Sequence, residues 1–173
     1  MLDAIKNRRA CRDFSSKAVE QSKIDEIVKA GLAAPSGMNR QTSVIIVIKD
    51  KKTRDQLMKI NRDVAGGRFP EGMDPFYGAP VVILVVANKD GLSMHDGCAT
   101  IENMLLEATN QGLASCWIHR TEEEIRSKEG QELLSFTGLN FDDYIGVGHV
   151  ILGYPNKFNP APKVIKDNRY FQK

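Results

Sequence analysis

Two unbroken apolar runs, Val44-Ile45-Ile46-Val47-Ile48 and residues 81–87, stand out in a chain whose other apolar residues mostly recur three and four apart. Short runs this rich in β-branched side chains predict strands buried in a core. Residues 115–118 and Gly148-His149-Val150-Ile151-Leu152-Gly153 predict two further core strands. Helical spacing puts Ile24, Ile27, Val28, Gly31 and Leu32 on one face, with Ser22 and Asp25 as a start signal. That helix ends at Ala34-Pro35, because a proline pushes the residue before it out of the helical region. A charged helix over about 51–61 has Leu57, Met58 and Ile60 as inward candidates. A longer one over about 96–111 carries Ile101, Met104, Leu105 and Ala108 on one stripe and stops at Gly112. Leu2 and Ile5 suggest a short first helix, and Thr121-Glu122-Glu123-Glu124 matches a capping box that opens another.

Between these elements, residues 65–78 hold Gly66, Gly67, Pro70, Gly72 and Pro75, which predicts a long mobile loop. Residues 155–173 read as a polar, extended tail. With no internal repeat and no linker, the expectation is one domain over residues 1–173. Strands interspersed with helices predict an α/β layered arrangement, a sheet covered by helices, with strand order and direction left open.

Composition narrows the class of partner. At 173 residues, 42% hydrophobic and 27% charged, the chain is expected to be globular with a sizeable core. A formal net charge of +2 is too small for a polyanion-binding surface, so nucleic acid is not expected and any basic site must be local. Cys11, Cys98 and Cys116 are odd in number and widely spaced, which argues against a disulfide framework and for a reducing, cytoplasmic compartment. No apolar segment follows the N-terminal basic residues, so a signal peptide is not expected. Residues 81–87 fall far short of the ~20 residues that a membrane helix needs.

Candidate chemistry lies in three segments. Asn7-Arg8-Arg9-Ala10-Cys11-Arg12-Asp13-Phe14 concentrates arginines, whose planar guanidinium offers paired donors to phosphate; by itself the cluster also reads as a solvated basic face. Pro35-Ser36-Gly37-Met38-Asn39-Arg40-Gln41 is either a plain helix-to-strand loop or a source of apolar and polar contacts to a planar ring. Gly112-Leu113-Ala114-Ser115-Cys116-Trp117-Ile118 contains the one tryptophan, whose default role is core packing, and His119 after it fits an ordinary polar loop. His95 and Cys98 have metal-like spacing but lack a second ligand pair. There is no Gly-x-Gly-x-x-Gly loop, no Cys-x-x-Cys pair and no nucleophile elbow. A chain without an acid–base constellation suits chemistry carried by a cofactor.

These three segments, in this order, resemble FMN-dependent nitroreductases, and the resemblance runs along most of the chain. It implies an α+β fold with a central, mostly antiparallel sheet covered by helices. It also implies a domain-swapped homodimer whose tail, about 155–173, extends to the partner. By the same resemblance Arg8, Arg9, Ala10 and Arg12 would meet the FMN phosphate and ribityl chain. Pro35, Ser36, Gly37, Met38, Asn39 and Gln41 would meet the ring, often from the partner subunit. Trp117, Ile118, His119 and Arg120 would lie beside the isoalloxazine, their backbone amides near N5 and O4, and Asn61 at its pyrimidine edge. Relatives usually carry an arginine near Ile165; Lys163 and Lys166 are the substitutes expected here. Ala10 and Thr42 stand where many relatives have serine and proline. The implied activity is ping-pong transfer from NADH or NADPH to a small-molecule acceptor such as a nitroaromatic or quinone, with no catalytic side chain. A flavin carrier or sensor without turnover, and a small anion-binding module, are the alternatives.

Overall fold

A computed structural model describes residues 1–157 and 159–173. Its centre is an antiparallel sheet of four strands: β1 (Ser43–Ile48), β2 (Val81–Asn88), β3 (Ala114–Ile118) and β4 (Tyr144–Gly153), in the order β1-β2-β4-β3. The antiparallel α+β layering implied by the family resemblance is therefore present. In β2 the side chains of Val82, Leu84 and Val86 point to one face, and those of Val81, Ile83, Val85 and Ala87 to the other. Both faces are covered, so an apolar residue is required at every position and not at every second one.

The first face packs against α3 (Lys51–Asp63) and α5 (Thr121–Arg126), through Leu57 and Ile125, and meets Leu134 at the end of α6 (Lys128–Leu133). The second packs against α2 (Gln21–Leu32) and α4 (Ser93–Asn110), through Ile24, Ile27, Ile101, Met104 and Leu105. Full burial of such a side chain contributes about 1.5–3 kcal/mol, so the two interfaces dominate the stability. A short α1 (Asp3–Asn7) lies on α4. Among the described residues no helix is long and apolar enough to cross a membrane.

Several boundaries differ from expectation. β1 is half-buried over most of its length, because an edge strand has a neighbour on one side only. β4 begins at Tyr144, four residues before the predicted start. Gly146 and Gly148 hide it in the sequence, since glycine weakens a strand signal. Packing demands both: a Cβ on Gly146 would lie 2.2 Å from the backbone nitrogen of Glu122, and one on Gly148 2.2 Å from Trp117 Nε1. A bulge between them leaves Val147 opposite no partner of β2.

Helix starts were also shifted. α2 opens after Glu20, without a side-chain cap, so Ser22 is interior, and Leu32 is 61% exposed. α4 opens three residues before Asp96 and closes as foreseen: Gly112 has φ +73°, with Leu113 N–H donating to Ala108 C=O at 2.8 Å. In α3 the buried positions are Arg54, Leu57 and Asn61, while Met58 and Ile60 are half-buried. Arg54 tolerates burial because Nε donates to Ala79 C=O at 3.1 Å and its guanidinium pairs with Asp74. Asp74 in turn accepts from Phe76 and Gly78 N–H, so the far end of the 65–78 loop is tied to the core with Phe76 fully buried.

Candidate functional site

The arginine segment runs beside β3 as a fragment of a fifth strand. Ala10 pairs in parallel with Ser115, and Cys11 N–H donates to Ser115 C=O at 2.9 Å. Backbone polar groups alternate sides along a strand, so Trp117, two residues on, also turns its N–H and C=O away from β4. Arg8 lies toward α4, 3.7 Å from Glu102, and Arg12 is exposed. Both guanidiniums are within electrostatic reach of Cys116: burial pushes that thiol up, and the charges of Arg12 and Arg8 oppose the push. Arg9 parts from them. It donates to the carbonyls of Lys6 and Arg8 at 2.9 and 2.8 Å and lines a groove of about 730 Å³ with Lys163 and Lys166. The expected phosphate cluster is thus two groups, Arg8 with Arg12 at β3, and Arg9 with the two lysines at the tail.

Past β3 the chain turns sharply. Arg120 holds φ +86°, its guanidinium 5.5 Å over the ring of Phe69 and near Glu123. Trp117 sets its indole against Gly148, with Nε1 buried and without a partner among the described residues. His119 is exposed, its ring 6.2 Å from that of Trp117. Asn61 does not sit at the rim of this turn. It is fully buried beneath it, and its amide donates to the His119 carbonyl at 3.1 Å and to Glu124 at 2.5 Å. The expectation that Asn61 meets a ring edge is corrected accordingly: the helical face that carries Leu57 turns Asn61 inward too.

The capping box is corrected as well. The residue before α5 is Arg120, with no side-chain cap, and Thr121 and Glu124 turn into the protein toward His149.

The 35–41 loop is held in a costly shape. Met38, Asn39 and Gln41 all have φ near +54° (54°, 54° and 53°), a region that non-glycine residues seldom occupy. The surrounding bonds force it. Asp96, at the start of α4, accepts from Gly37 N–H at 2.9 Å and from the Thr42 hydroxyl at 3.0 Å. Ser36 Oγ accepts from Gln41 N–H at 2.8 Å, and Arg40 pairs with Asp90 at 2.7 Å. Met38 is nevertheless 75% exposed. Pro35, Ser36 and Gln41 line a cleft of about 210 Å³ with Asp96 and Thr100. Asp96 and Thr42 were not among the expected ligand contacts; the fold shows that the Thr42 hydroxyl fastens the loop through Asp96.

The loop leads into β1, and the arginines and the turn flank β3. These strands are the two edges of the sheet, three strand spacings or about 14 Å apart. Within one chain the candidate residues therefore fall into two groups, one at each edge of the sheet.

An antiparallel sheet clad on both faces defines an α+β protein, with arginines along one edge and a strained polar loop at the other. The nitroreductase family model matches residues 5–67. A nitroreductase with bound FMN from Bacteroides fragilis superposes with a TM-score of 0.89 at 26% identity, over 99% of this chain and 97% of that one. A candidate NADH dehydrogenase/NAD(P)H nitroreductase of Archaeoglobus fulgidus is 29% identical over 92% of this chain and 93% of its own length. The FMN reductase [NAD(P)H] of Bacillus subtilis is 27% identical over 66% of this chain and 41% of its own length. This chain is thus similar to the nitroreductase family, in sequence over residues 5–67 and in fold over nearly its whole length.

Proposed function

We propose that the protein is an FMN-dependent NAD(P)H oxidoreductase that works as a homodimer, with residues 1–173 forming one unit per subunit. The observation that carries this reading is the division of the site: an arginine-flanked edge at β3 and a strained, outward-facing loop at β1. A second copy that brings its 35–41 loop to the β3 edge makes one pocket of two halves. The residues fit a phosphorylated planar ligand. Arg8 and Arg12 supply paired donors to the phosphate, the outward backbone groups of Trp117 and its neighbours meet the ring's polar edge, and Met38 offers an apolar wall. When bound, FMN supplies the redox chemistry, accepting hydride from NADH or NADPH and passing electrons to a small acceptor such as a quinone or nitroaromatic. The chain's own residues hold the phosphate, orient the ring and shape the opening.

The tail supports the dimer. Val164, Ile165, Tyr170 and Phe171 are each at least 70% exposed, an apolar set that one chain leaves uncovered and a partner would bury. Lys163 and Lys166 would add positive charge beside Arg9. All three thiols are free, which suits a reducing, cytoplasmic setting.

An absorption spectrum with anaerobic addition of NADH or NADPH tests the reading. Flavin bands that bleach with either nucleotide are expected. Bands that persist with both would mark a flavin carrier, and a colourless protein after reconstitution with FMN would sink the proposal. The double substitution Arg8→Ala and Arg12→Ala is expected to release FMN, measured as flavin passing through a desalting filter.

A further inference from the structure

Beneath the 117–120 turn lies a closed set of polar side chains that the proposed chemistry does not use. Asn61 of α3, Glu124 of α5 and His149 of β4 are fully buried, and Thr121 is 1% exposed. Glu124 accepts from Asn61 Nδ2 through Oε1 at 2.5 Å and lies 2.7 Å from His149 Nε2 through Oε2. The second ring nitrogen of His149 is 3.1 Å from the Thr121 hydroxyl and 3.4 Å from the Ile118 carbonyl. Phe76 closes the other side, its ring 5.4 Å from that of His149. The remaining hydrogen of the Asn61 amide goes to the His119 carbonyl. A carboxylate and a carbonyl are both acceptors, so the amide nitrogen must lie between them and the side chain has one permitted orientation. Its oxygen is buried without a partner among the described residues. Burying an orphan acceptor is destabilising, so polar satisfaction alone does not explain this arrangement.

The peptide that joins His119 to Arg120 explains it. No peptide bond among the described residues is cis, and a trans unit directs its C=O and N–H to opposite sides. Drawing the His119 carbonyl inward therefore turns the Arg120 N–H outward, away from the core. The left-handed φ of Arg120 is the backbone cost of that direction.

We infer that Asn61 is a positioning residue for the reacting turn. Glu124 anchors it, His149 anchors Glu124, and the trio fixes from below the direction in which the Arg120 amide faces the flavin. The inference rests on the FMN reading for its consequence, though not for its geometry. An amide held toward the ring stabilises negative charge on the reduced form more than on the oxidised one.

The test uses Asn61→Ala and Asn61→Leu, the second filling the space of the amide without its donor. Hydrogen exchange of the full-length protein without FMN is read at residues 118–120, with the β2 amides as reference. Expected is exchange at least about tenfold faster in the turn, with β2 unchanged, the fold-change that a single buried hydrogen bond supplies. FMN affinity should fall about tenfold, and the potential of the bound flavin should move to more negative values. Glu124→Gln still presents an oxygen to Asn61 and is expected to keep the turn protected. Wild-type protection at 118–120 in both Asn61 variants would overturn the inference. So would equal loss of protection in the turn and in β2 for the leucine variant, since that is a merely structural role. If the exchange result is as expected but the wild-type protein takes up no FMN, the cofactor reading fails and the positioning stands.

Discussion

At the residue scale, the structure shows why certain side chains carry more than their type suggests. Asp90 is held well below the usual carboxylate range, at about 2, first by the Leu92 N–H and then by Arg40 and Ser93. A depressed carboxylate stabilises the fold above its ordinary value of 3.8, and that contribution is lost as pH falls toward 2. The Arg40 tie on the 35–41 loop is therefore expected to loosen between about pH 4 and pH 2. Hydrogen-exchange protection of Gln41, whose N–H donates to the Ser36 hydroxyl, checks it across that range, and Asp90→Asn should remove the change in protection. The arginines and Met38 stand out as candidates in the sequence because guanidinium chemistry and turn composition are local properties. Asn61 was not, since its spacing from Leu57 marks a helical face without saying what that face meets. Glu124 was misread for a related reason: a Thr-x-x-Glu pattern is the same whether the two side chains cap a helix or enter the core.

At the element scale, glycine and the first turn of α4 decide how the site is held. Gly146 has no room for a methyl group, because backbone atoms of Thr121 and Glu122 occupy the space. Gly146→Ala is expected to push α5 from β4 at a cost of about 3 kcal/mol, seen as a lower midpoint in urea. An unchanged midpoint would mean that the two elements pack more loosely than this. Asp96 joins α4 to the strained loop through two hydrogen bonds, so Asp96→Ala should cost about 2 kcal/mol and free Met38, Asn39 and Gln41 from left-handed backbone. Chemical shifts of those three residues would report the change. β2 and the stripe of α4 were readable from periodicity, because burial on defined faces repeats at the period of the element. β4 was cut short by the same method, since its glycines answer to neighbours distant in sequence.

At the scale of the whole molecule, the proposed dimer joins two groups of candidate residues that lie at opposite sheet edges. Sedimentation of the flavin-loaded protein is expected to give a dimer, and removal of residues 159–173 should shift it toward monomer with loss of FMN; a flavin-loaded monomer would contradict both. The sequence by itself determined the helices, the apolar strands, the arginine and loop segments, and the family they resemble. Each of these follows from residue type and short-range spacing, which survive without a fold. Only the tertiary structure decided the strand order, which side of the sheet each segment serves, and the burial of Asn61, Glu124 and His149 under the turn. Those depend on contacts between residues such as Asn61 and His119, far apart in the chain, whose meeting is set by how the layers close over the sheet.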